Sequence, residues 1–205
     1  MLKVENRWNV AVAKGVEVVQ KKIIVFFGMT ASGKSTIAGA YAAAKAIPYY
    51  NTDRMRKKLA GLLPTDKRPD AVGQGIYSAD FSCKTYAAML EQAAADLEQG
   101  QPVILLDGSY SNKKERAAVV EMAGHYDAMP FFIYCTCSAD EVRRRLEQRA
   151  ADETAVSDGR WEIYQHQLDT FTDPALSTAG CLVRLDTEQE LAVLLKTVEQ
   201  LVREE

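Results

Sequence analysis

Short apolar runs alternate with segments of helical spacing along most of this chain. Ile23-Ile24-Val25-Phe26-Phe27, Val103-Ile104-Leu105-Leu106 and Phe131-Phe132-Ile133-Tyr134-Cys135 are apolar at odd and even positions alike, the pattern of strands covered on both faces. Tyr49-Tyr50-Asn51-Thr52 and Leu182-Val183-Arg184-Leu185 read as two more strands. Helical periodicity covers about 34–46, 54–60, 79–98, 112–124, 138–150, 158–170 and 187–203, with stops at Pro48 and Gly100. Ser138, with Glu141 three positions on, predicts a capping box. Strands buried on both faces and separated by helices imply an α/β fold with a five-stranded parallel sheet and right-handed crossovers. Residues 61–78 hold Gly61, Pro64, Pro69, Gly73 and Gly75 and show little periodicity. A loop of that length in a compact domain is usually functional. Residues 1–20 stand outside the alternation, as an extra helix, an added edge strand or a partner-dependent tail.

The turn after the first strand carries the first chemistry. Gly28-Met29-Thr30-Ala31-Ser32-Gly33-Lys34-Ser35 fits G-x-x-x-x-G-K-[ST], placed between a buried strand and a helix. Glycines let successive backbone amides curl round an anion, and the following helix adds the positive end of its dipole. In such a cradle Lys34 reaches the β- and γ-phosphates of a nucleotide and the Ser35 hydroxyl ligates Mg²⁺. The second signal is Asp107, delivered by a buried strand to the sheet edge where ligands bind in open α/β folds. It suits contact with Mg²⁺ and its waters, contact with an acceptor, or a solvated strand end.

Composition narrows the partners. The chain has 205 residues, 47% of them apolar, with 25 Lys and Arg against 28 Asp and Glu, a net charge of −3. That excludes a polybasic membrane binder and weakens a large nucleic-acid footprint. No apolar run reaches the length of a membrane span, and the N-terminus has no secretory apolar core, so a cytoplasmic protein is expected. Cys83, Cys135, Cys137 and Cys181 form no C-x-x-C pair, and His125 and His166 are the only histidines, which predicts reduced, mostly buried thiols rather than a metal site.

No N-K-x-D or T-K-x-D is present for guanine, and there is no room for the helical subdomain of a ring motor. A kinase remains, and it needs a positioner for an acceptor hydroxyl and positive charge over the transferring phosphoryl group. Asp53, directly after the second strand, is the candidate base, with a helix N-cap as its alternative. Arg54, Arg56, Lys57 and Lys58 load the start of the following helix with cations, against the dipole, and this favours a nearby anion. On the 138–150 helix, at about 100° per residue from Val142, Arg144 falls near 200°, far from the apolar stripe, while Arg149 falls near −20° and Arg145 near −60°, beside it. An inward arginine is costly unless it meets an anion, so Arg145 or Arg149 is expected over the phosphates. Tyr77 and Asp80 in or beside the long loop are candidate acceptor contacts. Trp161, Tyr164 and Leu168 share helical spacing and are expected in the core, and Cys135 and Cys137 are expected to pack on one strand face.

On these residues the chain resembles P-loop kinases of the adenylate-kinase-like group, and within it the polynucleotide-kinase-like, zeta-toxin-like branch of AAA family ATP-binding proteins. The resemblance covers about residues 22–186 and rests on GMTASGKST, NTDRMRKKLAG, GIYSAD, VILLDGSY and EVRRRLEQRA. It implies a three-layer P-loop NTPase fold of strand order 2-3-1-4-5, as a kinase domain over 21–205 with a lid region about 138–160. It implies ATP phosphates on Gly28, Thr30, Ala31, Ser32, Gly33, Lys34, Ser35 and Thr36, the last at the α-phosphate, with Mg²⁺ on Ser35, and with Asp107 as the strand-end acid, set against either Mg²⁺ or the acceptor. By the same resemblance Asp53 accepts the hydroxyl proton, Arg56 braces acceptor or phosphate, and Arg145 and Arg149 are the lid arginines. The implied activity is ATP-dependent phosphoryl transfer to a hydroxyl of a small molecule. The alternatives are a polynucleotide 5′-hydroxyl kinase and a slow ATP-hydrolysing regulatory module. Some such kinases are joined to an aminoglycoside-phosphotransferase-like domain, and no such domain lies within this chain. The first 20 residues depart from the family core, and nothing resembles the phosphatase or ligase domains of repair kinases, which with the acidic charge argues against a polynucleotide acceptor.

Overall fold

Five parallel strands run in the order β2-β3-β1-β4-β5 in a computed structural model that describes residues 20–68, 73–152, 154–172, 174 and 181–203. The expected N-terminal appendage, residue 20 apart, lies outside the described residues. The strands are β1 (Lys21–Phe27), β2 (Tyr49–Asn51), β3 (Val103–Gly108), β4 (Ala128–Thr136) and β5 (Cys181–Asp186). The helices are α1 (Lys34–Lys45), α2 (Thr52–Leu59), α3 (Ala79–Glu98), α4 (Lys113–His125), α5 (Ala139–Ala150), α6 (Trp161–Thr170) and α7 (Leu191–Arg203). Each βαβ step crosses over, and this forces the parallel pairing.

The continuous apolar run of β1 divides by side-chain alternation. Ile23, Val25 and Phe27 face one buried cluster with Met89, Ala93 and Leu97 of α3 and Val119 and Ala123 of α4. Ile24 and Phe26 face the other, with Ile37, Ala38 and Tyr41 of α1 and Leu194, Val198 and Val202 of α7. The result is helix, sheet, helix, the three layers expected. Val142 and Leu146 of α5 pack with Tyr164 of α6 and Ala31 in a third, smaller cluster beneath the turn after β1. Register sets the working edge: Phe26 lies beside Asp107 on one side, and Asn51 lies beside Asp107 on the other.

Several boundaries move for physical reasons. α2 starts at Thr52 because the Asn51 side chain caps it, accepting from the Arg54 amide at 3.0 Å, so Asp53 is not the N-cap. Arg56, Lys57 and Lys58 therefore fall in the last turn, where the dipole favours cations. The dipole therefore calls for no nearby anion at these three, and it is burial that sets Arg56 and Lys57 apart. The expected capping box at Ser138 is half formed: its side chain takes the Glu141 amide, but its own amide donates to Glu188 Oε1 at 2.6 Å. α6 and α7 begin later than their periodicity suggests, because Val156, Asp158 and Thr187 are spent on tertiary contacts. The long loop contains a short 3-10 turn, Gly75–Tyr77. Leu168 is 54% exposed, so of the expected aromatic stripe only Tyr164 is buried. Cys135 is buried and Cys137 half-buried, but Cys83 is exposed.

Candidate active site

The turn after β1 forms a backbone cradle. Ala31 and Gly33 adopt φ of 59° and 82°, and Gly28 is held so close to the neighbouring strand that a Cβ would lie 2.4 Å from the Cys135 carbonyl oxygen. Gly33 stands at the α1 N-cap with no side-chain acceptor, so the first amides of the helix keep their donors for a ligand. Ser35 and Thr36 are exposed there. Lys34 Nζ folds back onto the Met29 carbonyl at 3.1 Å, and the Thr30 amide donates to Gln167 Oε1 of α6 at 2.7 Å.

Asp107 lies behind the cradle, fully buried. Its Oδ2 accepts from Tyr49 at 2.7 Å and from Asn51 Nδ2 at 2.5 Å, while its Oδ1 has no partner. Burial pushes its carboxyl above the usual carboxylate range, and the Lys34 charge, with hydrogen bonds from Tyr49 and Asn51 and the nearby Ser35 hydroxyl, pulls the other way. A buried carboxylate oxygen without a donor, next to the Ser35 hydroxyl, is the hard oxygen pair a Mg²⁺ ion takes. The residues fit that ion.

Opposite the cradle, α2 and the loop before α3 line the same cleft, which Thr30, Lys34, Asp53, Arg56 and Tyr77 share. Asp53 is half-buried and accepts no hydrogen bond from any described residue. Arg56 is 7% exposed, with Nη1 donating to the Ile76 carbonyl at 2.7 Å and to Ser82 Oγ at 3.1 Å. Lys57 is fully buried and meets Asp158 Oδ2 at 3.2 Å, with the carbonyls of Val156 and Pro64 at 2.7 and 3.1 Å. Tyr77 donates to the same Asp158 oxygen at 2.6 Å, and burial, followed by the Asp53 and Asp158 charges, raises its phenol well above the ordinary value. Residues 156–159 thus strap the cleft from above. Gly159 is pressed so near the cradle that a Cβ would sit 2.1 Å from Thr30 Oγ1 and 2.8 Å from Arg149 Nη1.

Arg145 and Arg149, the expected lid arginines, diverge. Arg145 donates to Glu141 and to the Thr187 and Ala31 carbonyls, and its Nη1 also lies 3.0 Å from Thr187 Oγ1, so it braces the cradle from beneath. Thr187 in turn donates to the Ser32 carbonyl at 2.8 Å. Arg149 makes no hydrogen bond to a described residue and is half-buried beside Gly159. Burial lowers its pKa, and the Asp53 charge opposes that shift. Arg144 is solvated and paired with Glu141. Asp80 is exposed in the first turn of α3, outside the cleft lining.

The sequence thus pointed to Lys34, Asp53, Arg56 and Tyr77, which line one cleft. It missed Lys57 as a paired cation, Asp158, Gly159, Gln167, Asn51 and Thr187. Asp158-Gly159 is a turn signal that could have ended the helical reading at 158. A second groove, over Tyr41 and Leu195 between the far ends of α1 and α7, is rimmed by the Lys45–Glu199 and Arg203–Glu199 ion pairs. Lys45 lies about 16 Å along α1 from Lys34, so that groove is not part of this site.

An AAA domain family, AAA_33, matches residues 23–174, the span that holds the cradle, α2, Asp107, Arg145, Arg149 and the strap. The chain belongs to that family. Among curated proteins, an uncharacterized Mycobacterium tuberculosis protein (strain H37Rv) is 26% identical over 154 residues, 75% of this chain and 31% of that protein. The chain thus spans about a third of the length of the relatives it matches there. Among solved structures, this AAA_33 chain is similar to a sugar kinase from Janibacter sp. (17% identity, TM-score 0.65, 89% of this chain and 95% of that one). It is also similar to a Mycobacterium tuberculosis APS kinase in complex with AMPPNP and APS (16%, 0.59, 90% and 98%). A gluconokinase from Sinorhizobium meliloti matches at 21% identity and a TM-score of 0.56, over 91% and 98%. The AAA_33 chain has the fold of P-loop kinases.

Proposed function

We propose that this chain is an ATP-dependent phosphotransferase that moves the γ-phosphoryl group to a hydroxyl of a small molecule. The observation that carries the reading is the shared cleft: Thr30 and Lys34 of the cradle face Asp53 and Arg56 across it. In this reading the amides at the start of α1 and Lys34 hold the β- and γ-phosphates. Asp53, whose carboxylate is spent on no hydrogen bond from a described residue, orients the acceptor hydroxyl and takes its proton. The acceptor oxygen bonds to the γ-phosphorus as the bond to the bridging oxygen breaks, and ADP leaves. Arg149, with its donors free of described partners, meets the charge on the moving group. Ser35 and Asp107 Oδ1 would hold Mg²⁺, which when bound supplies positive charge beside the phosphate oxygens. Arg145 and Thr187 keep the cradle backbone in shape, and the strap over residues 156–159 shields the cleft from water.

Kinases of gluconate, a sugar and APS on this fold support a small-molecule acceptor. The net charge of −3 speaks against a polynucleotide. The test is ADP release from Mg·ATP across a panel of hydroxyl metabolites and a 5′-OH oligonucleotide. One metabolite that accelerates release and gains a phosphoryl group supports the kinase. Unchanged slow hydrolysis across the panel supports a regulatory module instead, and labelled oligonucleotide supports the polynucleotide alternative.

A further inference from the structure

We propose that the acceptor is an acid: a small hydroxycarboxylate whose carboxylate docks on Arg56 while its hydroxyl lies at Asp53. This rests on the kinase reading and names its substrate class. Two adjacent cations of α2 carry the argument. Lys57 is fully buried, and its charge is met by Asp158 and two carbonyls. Arg56 is 7% exposed, yet no carboxylate lies within ion-pair distance of it among the described residues. Its Nη1 meets only neutral oxygens, those of Ile76 and Ser82, and its Nε, closed off from water, has no acceptor. A buried guanidinium without an anion is strongly unfavourable unless one arrives with a ligand. This one lines the cleft.

The geometry selects the kind of anion. Nη1 is anchored and the guanidinium carbon lies 5.0 Å from the centre of the Tyr77 ring, so the plane is fixed. The unspent donors are Nη2 and, beside it, Nε, which is closed off from water, so a carboxylate meets Nη2 first and completes the parallel fork when the packing over Nε yields. Charge agrees: Lys57 consumes Asp158, Asp53 faces the acceptor, and one unpaired cation suits a monoanion better than a phosphate dianion. Asp53 and Arg56 are three residues apart on one helix, about 5–6 Å between Cβ atoms, and both line the cleft, so one small molecule spans both groups.

The test fills the cradle first. Protein loaded with Mg·AMPPNP is titrated calorimetrically with hydroxy acids from glycolate to gluconate, each beside its uncharged alcohol, and with glycerol 3-phosphate. At least one acid should bind about tenfold or more tighter than its alcohol. Arg56→Gln should abolish that preference, and Arg56→Lys, which keeps charge but not the fork, should recover it only in part. AMPPNP uptake by each variant, measured first, reports that the cradle is folded. Acid and alcohol binding alike, no acid binding at all, or glycerol 3-phosphate preferred over every acid overturns the assignment and leaves the kinase reading standing. Wild type that takes up no Mg·AMPPNP overturns both.

Discussion

Replacing Asp158 by Asn strips from a fully buried ammonium the one carboxylate that meets it among the described residues. Lys57 has zero exposure and Asp158 is 6% exposed, so solvent does not screen their contact at 3.2 Å. Removing one partner of a buried pair costs about 3–5 kcal/mol. Here the Val156 and Pro64 carbonyls stay on Lys57, and Asn keeps an oxygen in place, so the lower end applies, about 3 kcal/mol. For a domain of this size that is a fall of about 6–12 °C in Tm. Scanning calorimetry with parallel guanidinium titrations reads it. The second arm is Lys57→Met in the same background, which removes the stranded charge and should return most of the loss. A Tm within about 2 °C of wild type for Asp158→Asn, or a double variant no better than the single one, would refute the idea that this pair compensates a buried charge. The same loosening frees the strap, so acceptor-independent ATP hydrolysis should rise as water enters.

Further outcomes follow from the same geometry. Arg149→Ala should cost about 10³–10⁵ in turnover and Asp53→Asn about 10²–10⁴, and steady-state rates with the identified acceptor that barely change for Arg149→Ala would remove it from the phosphoryl site. Gly159→Ala drives a methyl against Thr30 Oγ1 at 2.1 Å, and it should cost about 1–3 kcal/mol in stability and raise KM for the acceptor more than it lowers kcat. Glu141 is held down to about 2 by hydrogen bonds from Arg144 and Arg145. A lowered carboxylate pKa contributes stability above the ordinary value of 4.5 and loses it as pH falls through about 2. Acid titration of unfolding should therefore lose part of its slope in that window in Glu141→Gln, and an unchanged slope would discount the pair.

What the sequence determined by itself is the local chemistry. Apolar runs on both strand faces fixed a parallel sheet with its order expected from resemblance, and G-x-x-x-x-G-K-S between strand and helix placed the anion cradle, because backbone conformation and periodicity are encoded over a few neighbouring residues. The helical angles of α5 also set Arg144 apart from Arg145 and Arg149. The difference between those last two was decided by folding: the Ala31 and Thr187 carbonyls consume Arg145, and nothing described consumes Arg149. Arg56 and Lys57 tell the same story. Both are cations of one short helix, and only the return of the chain, which brings Asp158 across the cleft from far along the sequence, pairs one and leaves the other without a carboxylate among the described residues. Compensation of buried charge depends on which distant carboxylate or carbonyl arrives, and no spacing within α2 carries that information.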